Sequence, residues 1–240
     1  MELIGKIKDK AKKAWSIFLD FVFPRQCLSC QKEGEYVCSA CFDKIELLEK
    51  FPCFLCHSGS YEEGICPHCR KISGIDRIII SCRYSDNLAG RMVESLKFSF
   101  LESLSEPLSQ LLIKQIKKKD LKEFLRGGVI VPVPLAVKRL CERGFNQSEL
   151  IAGNLALKLG CQVCSNLLKR NRETHQQALL SRQERMVNIK GAFSCEAANY
   201  PLKVILLDDV LTSGATLTEA AYALKKAGVK EVICLAVCHG

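Results

Sequence analysis

The stretch VILLDDVLTSGATL, Val204 to Leu217, decides the fold. Its first four residues, with Lys203 before them, form a short unbroken apolar run, which predicts a buried strand over Lys203 to Leu207. The strand delivers two carboxylates, Asp208 and Asp209, to the edge of a sheet. A loop, Thr212-Ser213-Gly214-Ala215-Thr216, then opens a helix predicted from Ala215 to Ala227, with Leu217, Ala220, Ala221 and Leu224 inward and Gly228 past its end. A helix N-terminus presents unpaired amides and the positive end of its dipole, so this loop can cradle a phosphate. Gly214 allows close backbone approach, and the Thr and Ser hydroxyls add donors. Two carboxylates beside such a cradle repel a bare anion. They fit a ligand whose sugar hydroxyls donate to them, or one that shares a Mg²⁺ with them. The implied ligand carries a terminal phosphate, vicinal hydroxyls and a metal-binding group.

Outward from this stretch, strands and helices alternate. Strands are predicted at Arg77 to Tyr84, at Val129 to Val133, at Cys161 to Cys164 and at Val232 to Val237. Helices are predicted from Asn87 to Leu96, over 103–118 with Leu108, Leu111, Leu112 and Ile116 on one face, and over 146–159, where Gly160 ends the pattern. Unbroken apolar strands alternating with helices imply an α/β domain over 75–240, a mostly parallel sheet flanked by helices. Ligands of such folds bind beyond the carboxyl ends of the strands.

Ahead of this domain, residues 24–72 follow another rule. Cys27/Cys30, Cys38/Cys41, Cys53/Cys56 and Cys66/Cys69 are four CxxC pairs with uniform spacing. Two such knuckles complete a tetrahedral four-sulfur site, so eight thiolates predict two structural zinc ions. Sequential pairing suits the short spacers, and interleaved pairing is the alternative. His57 and His68 adjoin ligand cysteines as lesser candidates. A disulfide scaffold needs an oxidising compartment, and an iron–sulfur cluster is the smaller metal alternative. Cys82, Cys234 and Cys238 lie in apolar runs, where cysteine packs as a small hydrophobe.

Residues 1–23 set five lysines against an apolar stripe that recurs every three or four residues, predicting an amphipathic helix ended by Pro24. The segment lacks the small-residue cleavage site of a secretory signal, and its apolar part carries Asp20. No run approaches the roughly 18 apolar residues of a membrane span, so stable membrane insertion is not expected. With 240 residues, 48% of them hydrophobic, the chain has the composition of a folded protein, and disorder and collagen-like repeats are excluded. Lysine and arginine number 35 against 26 acids, a net +9. Eight thiolates and two Zn²⁺ would lower this to about +5. Between Lys138 and Lys190, ten basic residues face four acids, a local +6 that attracts phosphate backbones without reading sequence. Arg139, Arg143, Arg170, Arg172, Arg182 and Arg185 fall there, on loops near the strand ends. Guanidinium forks suit the oxygens of a pyrophosphate or of a nucleic-acid backbone. Aromatic platforms for single strands are sparse in this segment; Phe42, Phe51, Phe54 and Tyr61 of the cysteine block are the alternatives.

Val204 to Leu217 resembles the phosphoribosyl pyrophosphate (PRPP) motif of type I phosphoribosyltransferases. With VPVPL (Val131 to Leu135), ERGFNQS (Glu142 to Ser148), the loop Arg170 to Arg185, GAF (Gly191 to Phe193) and the cysteine-rich front, nearly the whole chain resembles the ComF/GntX family. The resemblance implies the type I phosphoribosyltransferase fold behind a small double zinc ribbon. It also implies a cytoplasmic role in natural transformation through handling of single-stranded DNA, beside a helicase partner. By the same resemblance Asp208 and Asp209 meet the ribose hydroxyls of PRPP, with Mg²⁺ accompanying it, and Thr212, Ser213, Gly214, Ala215 and Thr216 hold the 5′-phosphate. Lys97, in LKF, resembles a position beside the pyrophosphate, which adds it to Asp208 and Asp209 as a catalytic candidate. Gln176, Gln177 and Asn188 fall in the segment that resembles a hood over the site. The alternatives are an active phosphoribosyltransferase of unknown acceptor and a zinc-ribbon adaptor for protein partners.

Overall fold

A computed structural model describes residues 24–85, 87–173, 182–195 and 200–240. The helix expected over 1–23, together with Gln176 and Gln177, lies outside the described residues. By contacts the chain divides into two compact units, Met1–Ile45 and Glu46–Gly240.

In the described part of the first unit, Cys27 N–H donates to Lys32 O and Cys38 N–H to Cys27 Sγ, and a short helix α1 (Ser39–Phe42) follows. Phe42 and Ile45 are buried.

The larger unit begins with the second cysteine pairs and the helix α2 (Pro67–Ser73). The chain then runs through β1 (Arg77–Arg83), α3 (Asn87–Phe98), a 3₁₀ turn, α4 (Ser105–Lys118), α5 (Lys122–Leu125) and β2 (Val129–Pro132). It continues through α6 (Val137–Arg143), α7 (Gln147–Leu159), β3 (Gln162–Val163), β4 (Leu168–Arg170), α8 (Arg182–Ile189) and β5 (Phe193–Cys195). The last elements are β6 (Lys203–Leu211), α9 (Ala215–Ala227) and β7 (Glu231–His239).

Five strands form one parallel sheet in the order β1-β7-β6-β2-β3. β6 is central, and Val204, Ile205, Leu206 and Leu207 are fully buried, as an apolar strand covered on both faces must be. It extends past the expected Leu207 to Leu211, because the ladder with β7 continues through Asp208↔Ala236, Val210↔Cys238 and Leu211↔His239. Connections from β2 run outward to β3, whereas those from β6 run the other way to β7. The winding therefore reverses between β2 and β6, the place where open α/β sheets keep their ligands.

α4 buries Leu108, Leu111, Leu112 and Ile116, its expected stripe, against β1 and α7. α9 turns alanines 215, 220, 221 and 223 inward, and these small side chains bring its backbone close to its neighbours. β4 and β5 pair antiparallel as a separate small sheet beside α9. Sequence reading did not predict this pair, since three-residue strands are too short to show a period.

The second tetrad shares the apolar core of the larger unit. Cys53, Phe54, Ile65, Cys66 and Cys69 pack in one cluster with Ile75, Ile78, Ala215, Leu217 and Leu224. Phe42, Phe51 and Phe54 are buried, which removes them as stacking platforms, and Tyr61 is half-buried against the same core. Cys82, Cys234 and Cys238 are fully buried strand residues, as expected of small hydrophobes.

Candidate functional site

A cavity of about 660 Å³ opens at the carboxyl ends of β2 and β6. Val133, Pro134 and Leu135 after β2 form one wall, and Asp208 to Leu217 form the other. Gly214 caps α9 with a left-handed φ of 74°. Ser213 Oγ accepts from Ala215 N–H at 3.4 Å, and Thr218 N–H donates to Gly214 O at 2.9 Å. First-turn amides have no acceptor inside a helix, and here that end of α9 lines the cavity.

The two aspartates differ in environment. Asp209 is buried and ion-paired with Lys97, which reaches it from the last turn of α3. Burial pushes the Asp209 carboxyl upward, but the Lys97 ammonium and its hydrogen bond override this and hold it below the usual carboxylate range. Asp208 is half-buried at the cavity wall. Burial first and the Asp209 carboxylate second raise its pKa to about 7. Its Oδ1 accepts from Ser148 Oγ at 3.2 Å and from Asp209 N–H at 2.9 Å. One carboxyl is thus kept ionised while its neighbour titrates near neutrality. The alternating side-chain directions of an extended strand account for the difference.

The segment Glu142 to Ser148 adds Glu142, Arg143 and Gln147 to the lining. Asn146 caps α7 by accepting from Ser148 N–H at 3.0 Å, and its Nδ2 donates to Val133 O at 3.0 Å. That tie fixes α7 to the end of β2 and aims Ser148 at Asp208. Arg139 and Arg143 are four residues apart on α6, hence on one face, and both line the cavity. Arg143 donates to Gln147 and lies 5.8 Å from the centre of the Phe98 ring. Arg170, on β4, and Arg185, on α8, complete the basic lining.

The structure therefore brings Lys97, Asp208, Asp209, Thr212, Ser213, Gly214, Ala215, Thr216, Arg139, Arg143, Arg170 and Arg185 into one cavity. Arg172 is not part of it. That side chain donates to Asn188 O and Lys190 O at 2.8 and 2.7 Å, tying the end of α8 to the segment after β4. Arg182 belongs to α8, and its side chain lies outside the described residues. Four cavity residues were given no role in the sequence: Tyr84, Phe98, Phe100 and Gly240. Phe98 and Phe100 are 70% and 54% exposed at the cavity, and Phe100 adopts a left-handed φ of 55°. A phenylalanine pair just outside a helical apolar stripe is the only signal the sequence held for them.

The cysteines resolve into two tetrads, Cys27/Cys30/Cys38/Cys41 and Cys53/Cys56/Cys66/Cys69, so the pairing is sequential and all-sulfur. Within each, the sulfurs lie within 4.8 Å of one another. Cys30 and Cys38 Sγ are 3.7 Å apart and Cys56 and Cys66 Sγ are 3.8 Å apart. Tetrahedral zinc with bonds of about 2.3 Å separates its sulfurs by roughly 3.8 Å, so both tetrads fit zinc. Each tetrad joins a knuckle to a helix start, and the residue after each knuckle, Gln31 or His57, has a left-handed φ of 63° or 57°. His57 is thus a turn residue, and neither it nor His68 belongs to a tetrad.

No helix among the described residues is long and apolar enough to cross a membrane. Comparison with known proteins agrees with both halves of this architecture. A double zinc ribbon domain matches residues 18–70, and a phosphoribosyl transferase domain matches residues 146–240. Competence protein F of Haemophilus influenzae is 30% identical over 224 residues, 88% of this chain and 95% of that protein. DNA utilization protein YhgH of Escherichia coli strain K12 is 31% identical over 206 residues, 85% of this chain and 90% of its own. Competence protein ComFC of Bacillus subtilis is 29% identical over 210 residues, 82% of this chain and 81% of its own. With both domains in this order and near full-length relatives, the chain belongs to the ComF family, a type I phosphoribosyltransferase fold behind a double zinc ribbon.

Proposed function

We propose that this protein serves DNA uptake or utilisation, as the names of its relatives suggest, and that its cavity binds PRPP. One observation carries the PRPP reading: the complete Asp208-to-Thr216 stretch, Lys97 and four arginines line a single cavity at the reversal of strand winding. In this reading the 5′-phosphate sits on the N-terminus of α9, held by amides and the Thr212, Ser213 and Thr216 hydroxyls. Asp208 and Asp209 accept from the ribose hydroxyls. Lys97 and the arginines offset the pyrophosphate charge, which is the main demand when pyrophosphate leaves an anomeric carbon. The two carboxylates are hard oxygen donors of the kind Mg²⁺ takes, and Mg²⁺ would supply further charge neutralisation on the pyrophosphate.

Single-stranded DNA is the second ligand, and the cavity rim favours it. Phe98 and Phe100 offer exposed rings next to Arg139 and Arg143, the combination of stacking face and cation that holds unpaired bases. The protein would then work in the cytoplasm beside a helicase of the uptake machinery. An acceptor base approaching the same rim is the reading in which the protein is an active transferase.

Calorimetric titration of Mg-PRPP into the zinc-loaded protein tests the first ligand, with Asp208→Asn/Asp209→Asn as control. Binding that the control loses supports the reading. Absence of binding by the intact protein refutes it and leaves nucleic acid as the ligand to pursue.

A further inference from the structure

The second cysteine tetrad is tied to the phosphate loop by two packed contacts. Phe54 lies inside the knuckle Cys53-Phe54-Leu55-Cys56 and is fully buried. Its ring lies directly over Gly214, so that a Cβ built there would overlap Cδ2 and Cε2 of the ring. The knuckle backbone is itself pinned, with Phe54 N–H donating to Gly64 O at 3.2 Å and His57 N–H to Cys53 O at 2.7 Å. The second contact runs through Phe51, whose ring lies 5.9 Å from that of His239 at the end of β7. The next residue, Gly240, donates its N–H to Leu211 O at 2.9 Å, at the start of the same loop. Beyond these contacts, Ala215 and Leu217 pack in the same cluster as Cys53, Cys66 and Cys69.

We propose that Phe54 is a positioning residue for the phosphate loop, and that closure of the second tetrad around its metal sets the loop's geometry through this ring. The physical requirement is specific. Gly214 must hold a left-handed φ to turn the chain from β6 into α9, and a glycine there has no side chain to limit its other conformations. The Phe54 ring fills the space on the open side of that glycine. It reaches the loop from a knuckle whose shape depends on four sulfurs converging. Metal occupancy at the second tetrad and phosphate affinity at α9 are then two readings of one packed unit. Linkage requires each to strengthen the other. The first tetrad belongs to the other unit.

The ligand-binding half of this inference rests on the PRPP reading; the loop-ordering half does not. The first measurement is therefore hydrogen exchange of peptides spanning 211–217 in the unliganded protein, as zinc is withdrawn. Exchange should rise when Phe54 is changed to Leu, or when the second tetrad is emptied, and should stay unchanged in Cys27→Ser. The mild Phe54→Leu substitution retains an apolar side chain in the core, and emptying the tetrad of the unsubstituted protein gives the same readout if that variant does not fold. Unchanged exchange over 211–217 after loss of the second zinc overturns the proposal. The second measurement uses PRPP and ribose 5-phosphate as probes. Phe54→Leu should weaken both by about the same factor, on the order of 10- to 100-fold for a displaced binding loop, because both present the same 5′-phosphate to that loop and differ only in the pyrophosphate. Arg139→Gln should weaken PRPP alone. Gly214→Ala should cost less affinity in the Phe54→Leu background than in the parent, since the colliding ring has gone; additive costs would overturn the steric link. In the unsubstituted protein, PRPP should slow one of two phases of zinc release to a colorimetric chelator. Release unaffected by bound PRPP overturns the coupling, whereas failure of PRPP to bind at all refutes the ligand assignment and leaves the exchange result to decide.

Discussion

Removing the ammonium of Lys97 should reverse the pH dependence of the Asp209 contribution to this protein's stability. Lys97 and Asp209 are ion-paired, with side chains 19% and 5% exposed. Lys97→Met keeps most of the volume of the stem but leaves Asp209 as a buried carboxylate without its cation. Breaking one side of a fully buried pair costs about 3–5 kcal/mol, and the partial exposure of Lys97 reduces this to about 2–3 kcal/mol. For a domain of this size each kcal/mol shifts Tm by about 2–4 °C, so a drop of roughly 4–12 °C is expected at pH 7.5. In the parent, Asp209 has a folded-state pKa below its unfolded value, so its contribution is present above the unfolded value and fades as pH falls through the folded one. Without Lys97, burial dominates and the folded value rises above the unfolded one. The variant then loses stability as pH rises through the range above about 4, where the unfolded carboxyl is already ionised. The gap between the two proteins should be widest near neutrality and close toward pH 4.5. Scanning calorimetry from pH 4.5 to 8 reads this, and Lys97→Met/Asp209→Asn should recover much of the loss. A gap that does not change with pH, or a variant as stable as the parent at pH 7.5, would refute the assignment of Asp209 as the buried charge that Lys97 compensates.

Asp208 titrates near 7, so Mg-PRPP affinity should climb with pH below that value, by up to about tenfold per unit, and level off above it. Calorimetry with Asp208→Asn as reference checks this, because the variant keeps only the ligand's own titration. Phe98→Ala should lower affinity for single-stranded DNA by about 5- to 100-fold, the range for one lost base stack, while leaving the salt slope unchanged; Arg139→Gln should instead flatten that slope. Fluorescence anisotropy at several salt concentrations separates the two, and a Phe98→Ala variant with parental affinity would remove the rim from DNA binding. Arg172→Ala, by contrast, should leave PRPP affinity within about threefold, since its guanidinium binds the carbonyls of Asn188 and Lys190 rather than facing the cavity. A tenfold loss on titration would place Arg172 in the site after all.

The strand, loop and helix of Val204 to Leu217 and the eight cysteines were legible in the sequence because each is a short-range pattern. An apolar run, a helix-starting glycine loop and a two-residue spacer between thiolates carry their meaning within a few residues. The alternation from Arg77 onward also declared a parallel sheet, and the ends of its helices fell within a few residues of expectation. Strand length was less visible, since β6 continues to Leu211 on ladder bonds to β7 that lie beyond any local window. Of six arginines grouped by charge, four line the cavity and one instead ties α8 to the segment after β4. Net charge could not sort them, because direction on a helix face or strand does so.

What tertiary structure alone decided are the contacts between distant segments. Lys97 and Asp209 stand 112 residues apart, and their pairing depends on where α3 ends relative to β6. Phe54 and Phe98 have the same side chain, yet one is sealed against Gly214 and the other stands exposed at the cavity. Composition cannot distinguish them; burial is a property of what packs opposite. The second tetrad was readable as a metal site from spacing, but its place in the core beneath the phosphate loop follows only from how the sheet and α9 close around it.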